Sequence, residues 1–159
     1  MSVDGWTIEK ALKTGIMMEE GAYTLYKDAE KKVAAPGSKQ MLKELAADEL
    51  MHKEYFEKAL KEPKKVLDTS KIQDLKKLVK DLGVTDPLKE ADLKPDATYQ
   101  EILIFAAKSE KLAYEFYSAL AIQFQGHPLS NTWNNFAQME LGHKLKLEKE
   151  YEDVVLRDN

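Results

Sequence analysis

Glu49-Leu50-Met51-His52 places a carboxylate and an imidazole three residues apart inside a stretch of helical periodicity. Three residues of α-helix turn the chain by about 300° and advance it by about 4.5 Å, so both side chains leave on one face. That geometry suits two ligands of one metal ion. The pattern recurs as Glu140-Leu141-Gly142-His143, and the two copies use two of only three histidines, His52, His127 and His143. The copies lie 91 residues apart, and the same offset relates longer segments. It carries Glu19, Ala22, Tyr23 and Tyr26 onto Glu110, Ala113, Tyr114 and Tyr117. It also carries Ala46, Glu49, Leu50, His52, Lys53, Glu57 and Lys58 onto Ala137, Glu140, Leu141, His143, Lys144, Glu148 and Lys149. These 11 identities without a gap mark an internal duplication, and each half keeps Glu…Glu-x-x-His with its first Glu 30 positions before the second.

Glu19, Glu49, His52, Glu110, Glu140 and His143 all interrupt otherwise apolar or small stripes. A buried carboxylate is costly unless it is paired, protonated or metal-bound. Four carboxylates at one level carry four negative charges, which two divalent cations would balance. Oxygen and imidazole ligands without thiolate favour iron or manganese over structural zinc. Each residue alone has an ordinary reading: a solvated glutamate, or a core histidine with a satisfied partner. Tyr26 and Tyr117 read singly as core aromatics with a hydroxyl partner. The joint pattern and its duplication point to metal. Glu20, Glu44, Glu54 and Glu101 fall off the stripes and read as surface charge, and His127, beside Pro128, reads as a loop residue.

Four long helices must position these groups. The first spans 7–34, with the stripe Leu12, Gly15, Glu19, Ala22, Tyr26, Ala29, Val33, and stops at Ala35-Pro36-Gly37. Ser38 is the expected N-cap of the second, which runs to about residue 61 with the stripe Leu42, Leu45, Glu49, His52, Phe56, Ala59. Residues 63–97 are lysine-rich and contain Pro63, Pro87 and Pro95; Ser70 to Gly83 within them reads as one short amphipathic helix. Thr98-Tyr99-Gln100-Glu101 fits a capping box opening the third long helix, with the stripe Leu103, Ala106, Glu110, Ala113, Tyr117, Leu120, Phe124. Ser130 is the expected cap of the fourth, with the stripe Trp133, Phe136, Glu140, His143, Leu147, Tyr151, Val154. The expected architecture is all-α: one domain over 1–159, with helix pairs in 1–62 and 98–159 and a crossover in 63–97. An antiparallel four-helix bundle with a long crossover between the second and third helices satisfies these lengths.

Composition narrows the function. The chain has 24 Lys+Arg against 28 Asp+Glu, a net charge of −4, which argues against nucleic acid or an anionic membrane as partner. No stretch approaches about 18 uninterrupted apolar residues, and MSVDGWTIEK lacks a signal-peptide core, so a cytoplasmic location is the default expectation. The absence of cysteine excludes disulfides, thiolate-ligated metals and thiol nucleophiles from these 159 residues.

The order Glu, Glu-x-x-His, Glu, Glu-x-x-His over four helices resembles the ferritin-like di-iron carboxylate proteins, in which a Glu from each of two helices and a Glu-x-x-His from each of the other two project into the bundle core. Glu19-Glu20-Gly21-Ala22-Tyr23-Thr24-Leu25-Tyr26 and Glu110-Lys111-Leu112-Ala113-Tyr114-Glu115-Phe116-Tyr117 are similar to the Glu-x-x-Ala-x-x-x-Tyr segments of rubrerythrin-like proteins. The resemblance covers nearly the whole chain. It implies a ferritin-like fold and two iron ions, with manganese as the alternative metal. Glu49 and Glu140 would bridge the ions, Glu19 with His52 would complete one position, and Glu110 with His143 the other. Tyr26 and Tyr117 would be the catalytic-site tyrosines, hydrogen-bonded to carboxylates on facing helices. Two departures stand out. No rubredoxin-like four-cysteine domain lies in the sequence, and Ala113 stands where the family carries a further Glu.

The implied activity is reduction of hydrogen peroxide or oxygen, with electrons from a separate donor protein such as a rubredoxin, in a protein that could form a homodimer. The alternatives are a ferroxidase that handles iron, a manganese catalase, a substrate oxygenase, and a metal-free helical interaction module.

Overall fold

The computed structural model describes residues 2–61 and 93–156 of the chain. Four long helices fill them: α1 (Ile8–Glu30), α2 (Pro36–Leu60), α3 (Tyr99–Gln123) and α4 (Leu129–Glu150), the last continued by a π-helical turn at Tyr151–Leu156. No strand occurs among the described residues. The short amphipathic helix expected between Ser70 and Gly83 lies outside them.

The helix ends show what local chemistry does. Thr7 caps α1 by accepting from the Lys10 amide at 3.1 Å, and Thr98 with Glu101 forms the capping box that opens α3. The two serine caps are not formed. α2 starts at Pro36, whose missing amide is one of the donors a helix start leaves unpaired anyway, and Ser38 is buried one turn inside. α4 starts at Leu129; Ser130 instead donates its hydroxyl to the Ala121 carbonyl at 2.7 Å, tying the start of α4 to the end of α3. α1 ends at Glu30, short of the Pro-Gly break.

Contacts fix the directions. Glu19 lies by His52 while Lys39 reaches the Glu30 carbonyl, so α1 and α2 are antiparallel. Tyr99 donates to Glu150 and Ser130 to Ala121, so α3 and α4 are antiparallel as well. Across the two pairs, Tyr26 meets Glu110 and Tyr117 meets Glu19, which sets α1 against α3 in opposite directions. α2 and α3 therefore point the same way, the topology that calls for a long crossover in a ferritin-like bundle.

Two apolar layers result. One joins Leu12, Phe56, Phe116, Leu120, Trp133 and Phe136; the other joins Tyr26, Leu42, Leu45, Ile102, Leu103 and Leu147. Buried between them, at the middle of the bundle, are Glu19, Glu49, His52, Glu110, Glu140 and His143. Gly15 lets α1 and α2 close in at the first layer: a methyl there would stand 2.9 Å from Cε2 of Phe56. The ring cannot move aside readily, because it packs on Tyr117 and Phe136. Gly142 of α4 has no such neighbour within 4 Å. Gly15→Ala is accordingly expected to destabilise by about 1–2 kcal/mol, overpacking exceeding the gain in helix propensity. Gly142→Ala is expected to stabilise by up to about 1 kcal/mol. Urea unfolding of the two variants checks the opposite signs.

Candidate metal centre

Each of the four helices brings one carboxylate to the same level, and α2 and α4 add an imidazole from the next turn. Glu19 comes from α1, Glu49 and His52 from α2, Glu110 from α3, and Glu140 and His143 from α4. All six are essentially inaccessible to solvent. The structure gathers them into two overlapping groups, Glu19, Glu49, His52 and Glu140, and Glu49, Glu110, Glu140 and His143. Within each group one ligand atom per residue lies within 4.8 Å of the others. Glu49 and Glu140 belong to both.

The arrangement is two-fold symmetric in detail. His52 Nδ1 lies 3.3 Å from Glu19, 3.7 Å from Glu49 and 3.2 Å from Glu140. Exchanging the halves gives His143 Nδ1 at 3.5 Å from Glu110, 3.5 Å from Glu140 and 3.1 Å from Glu49. The two imidazoles are nearly parallel, with centroids 6.4 Å apart. Tyr117 donates its hydroxyl to Glu19 Oε1 at 2.5 Å, and Tyr26 donates to Glu110 Oε1. Each tyrosine thus fixes one oxygen of a carboxylate on the facing helix and leaves the other free.

Those free atoms test whether the residues fit a metal pair. Glu19 Oε2, Glu110 Oε2, both oxygens of Glu49, Glu140 Oε1 and His143 Nδ1 are buried without a hydrogen-bond partner. A fold that leaves so many polar atoms unpaired in one place is destabilised there unless a ligand completes them. Hard oxygen donors with imidazole suit divalent iron or manganese. The donor set fits two such ions, one in each group, with Glu49 and Glu140 placed to reach both.

The electrostatics agree. Burial, then the charges of Glu19 and Glu110, push the Glu49 carboxyl well above its ordinary value. Burial, then Glu19, Glu49 and Glu110, do the same to Glu140. Burial also keeps the Tyr26 and Tyr117 phenols protonated, with Glu110 and Glu19 adding to the effect, so both act as hydrogen-bond donors. For His143 burial alone would favour the neutral ring, but Glu110, Glu140 and Asp48 outweigh it and raise the value to about 9.

Two neighbours carried no sequence signal. Asp48 Oδ2 lies 3.0 Å from His143 Nε2, and Met139 Sδ lies 3.3 Å from His52 Nε2. Phe136, read as a core aromatic, stacks on the His52 ring at 4.0 Å. His127 stays away from the centre, and its Nδ1 accepts the Leu129 amide at the start of α4. Beside the centre is a cavity of about 60 Å³, bounded by Glu19 and Ala22 of α1 and by Glu110 and Ala113 of α3, and reaching Glu49 and Glu140. Among the described residues no helix is long and apolar enough to cross a membrane.

Comparison with protein families gives a match to the family described as Rubrerythrin over residues 10–91, a segment that holds Glu19, Glu49 and His52. No curated protein and no solved structure matches the chain.

Metal and protons compete for this centre, which gives stability a defined pH dependence. Without metal, the folded-state values of Glu49, Glu140 and His143 all lie above their unfolded values. The carboxyls' contribution is complete below 4.5 and is lost as pH rises through their raised values. That of His143 is complete below 6.5 and lost by about 9. The metal-free protein is therefore expected to melt at a higher temperature at pH 6 than at pH 9. A divalent ion held at 100 times its dissociation constant adds about 2.7 kcal/mol, on the order of 5–10 °C for a chain this size. Acidification should narrow that gap. Calorimetric scans with and without metal across this range check both trends.

Proposed function

The chain belongs to the rubrerythrin family, and on that premise we propose that it is a non-haem di-iron redox protein that reduces hydrogen peroxide or dioxygen with electrons from a separate donor protein. The observation that carries this reading is the pair of symmetric donor groups sharing Glu49 and Glu140, set directly against a small cavity.

Two ferrous ions held in these groups would supply one electron each, the two that cleavage of the peroxide O–O bond consumes along with two protons. The chain's own residues do the rest. Tyr117 and Tyr26 hold Oε1 of Glu19 and of Glu110, the atoms that lie 3.3 Å from His52 Nδ1 and 3.5 Å from His143 Nδ1, and leave Oε2 of each without a hydrogen-bond partner. The two apolar layers exclude bulk water from both ends of the site. Ala22 and Ala113, equivalent positions of the two halves, each contribute only a methyl to the cavity wall. A space of about 60 Å³ suits peroxide or dioxygen; organic substrates of ordinary size take roughly 300–1,000 Å³. That contrast favours the peroxidase reading over a substrate oxygenase. The 159 residues contain no cysteine, so an iron–thiolate electron donor has to be supplied from outside them.

Anaerobic loading with ferrous iron followed by peroxide tests the proposal. The expected result is oxidation of two irons per chain with one peroxide consumed, and loss of that reaction in a His52→Ala/His143→Ala variant. Equal rates in the variant contradict it. Uptake and oxidation of iron far beyond two per chain, with oxygen alone, would favour the ferroxidase reading instead. Ala22→Leu, which fills the cavity wall, is expected to slow the reaction with peroxide while leaving two irons bound, as stopped-flow absorbance and metal analysis would show.

A further inference from the structure

The six candidate ligands and the two tyrosines repeat in both halves, yet the residues behind the two histidines differ. Asp48 and Met139 occupy the same place in the duplication, 91 residues apart. Each lies against the outward nitrogen of the histidine contributed by the other half: Asp48 Oδ2 is 3.0 Å from His143 Nε2, and Met139 Sδ is 3.3 Å from His52 Nε2. A carboxylate is a strong, charged acceptor for an imidazole N–H, whereas a thioether is a weak one. The ring settings differ as well. His52 is stacked on Phe136, and the duplication puts Leu45 at the position equivalent to Phe136.

From this we propose that the two metal positions are inequivalent, the one built on His143 binding its ion first and tightly and the one built on His52 second and weakly, with Asp48 as the positioning residue that sets the order. The inference rests on the di-metal reading of the centre. When an ion displaces the proton from Nδ1 of His143, which faces Glu49, Glu110 and Glu140, the hydrogen bond to Asp48 keeps the remaining ring proton on Nε2. The acceptor also raises the basicity of the ring toward a metal and fixes its orientation. His52 receives no comparable support from Met139. Its Nδ1 still faces its carboxylates and lies 3.3 Å from Glu19 Oε1, but on the outward side the ring has only packing and a soft sulfur contact. The asymmetry would give a symmetric ligand shell a loading order.

Manganese(II) titration of the full chain at fixed pH, followed by calorimetry and electron paramagnetic resonance, tests this without reference to turnover. The wild type is expected to bind two ions in two resolved steps. One equivalent should give the signal of an isolated ion, and the spin-coupled signal should grow only with the second. Asp48→Met, which makes the halves alike, is expected to weaken the tight step by about 10–100-fold and leave the weak step nearly unchanged. The side chain of Asp48 is 38% exposed, so the substitution is compatible with folding, and Asp48→Asn provides a second, isosteric variant. The reciprocal Met139→Asp is expected to tighten the weak step toward the other. Removing His143 should abolish the tight step, and removing His52 the weak one. Two equal steps in the wild type, or an Asp48 variant that weakens both steps alike or neither, would overturn the inequivalence while leaving the di-metal reading intact. A wild type that binds no manganese and no ferrous iron would overturn both.

Discussion

The architecture depends on one constraint: four carboxylates share a single buried level of a helical bundle. Ligand atoms within 4.8 Å of one another, if ionised, repel by about 4 kcal/mol per pair at the effective dielectric of a protein. Several such pairs exceed what a domain of this size holds in net stability. The charge has to be met from inside, by protons, by histidine or by metal. The structure is prepared for each of these: raised Glu49 and Glu140, a His143 that favours the imidazolium, and buried carboxylate oxygens without a hydrogen-bond partner. A polar network this incomplete is a poor way to stabilise a fold and a good way to bind two cations.

The rest of the bundle answers that constraint. The two apolar layers supply hydrophobic stability on either side of the polar level and hold the helices at a fixed separation. The crossed tyrosines bind the first helix to the third at the height of the carboxylates, which is where repulsion would push these helices apart. Gly15 permits the close approach of α1 and α2 that places Glu19 and His52 together. The duplication explains the economy: one helix pair with a half-site becomes a whole site when a second copy faces it.

The candidate site was legible because its residues repeat at one offset: Glu19, Glu49 and His52 recur as Glu110, Glu140 and His143, and the structure brings all six together. Helix faces were legible for the same reason: the stripes through Leu12, Leu42, Leu103 and Trp133 are buried over most of their length, and burial falls off toward their ends at Val33, Ala59, Phe124, Tyr151 and Val154. Helix starts were less so. Ser38 and Ser130 have the chemistry of caps, but Pro36 opens α2 two residues earlier and Ser130 finds the Ala121 carbonyl. Local preference yields when a neighbouring residue or a tertiary partner offers a better hydrogen bond. Asp48 was invisible because its role depends on a histidine 95 residues away across the bundle. The duplication gave no help there, since its equivalent is Met139. Periodicity reports which face a residue is on, and not what stands opposite.

In the di-metal reading, Glu49 and Glu140 each serve two ions at once. Anomalous diffraction at the iron edge from crystals of the iron-loaded protein tests it most directly. The expected result is two peaks per chain, about 3.5–4 Å apart, both between Glu49 and Glu140, with ligand distances of about 2.0–2.2 Å. One peak should lie toward Glu19 and His52 and the other toward Glu110 and His143. A single peak, or iron bound only outside the bundle with the four carboxylates still buried, would contradict it.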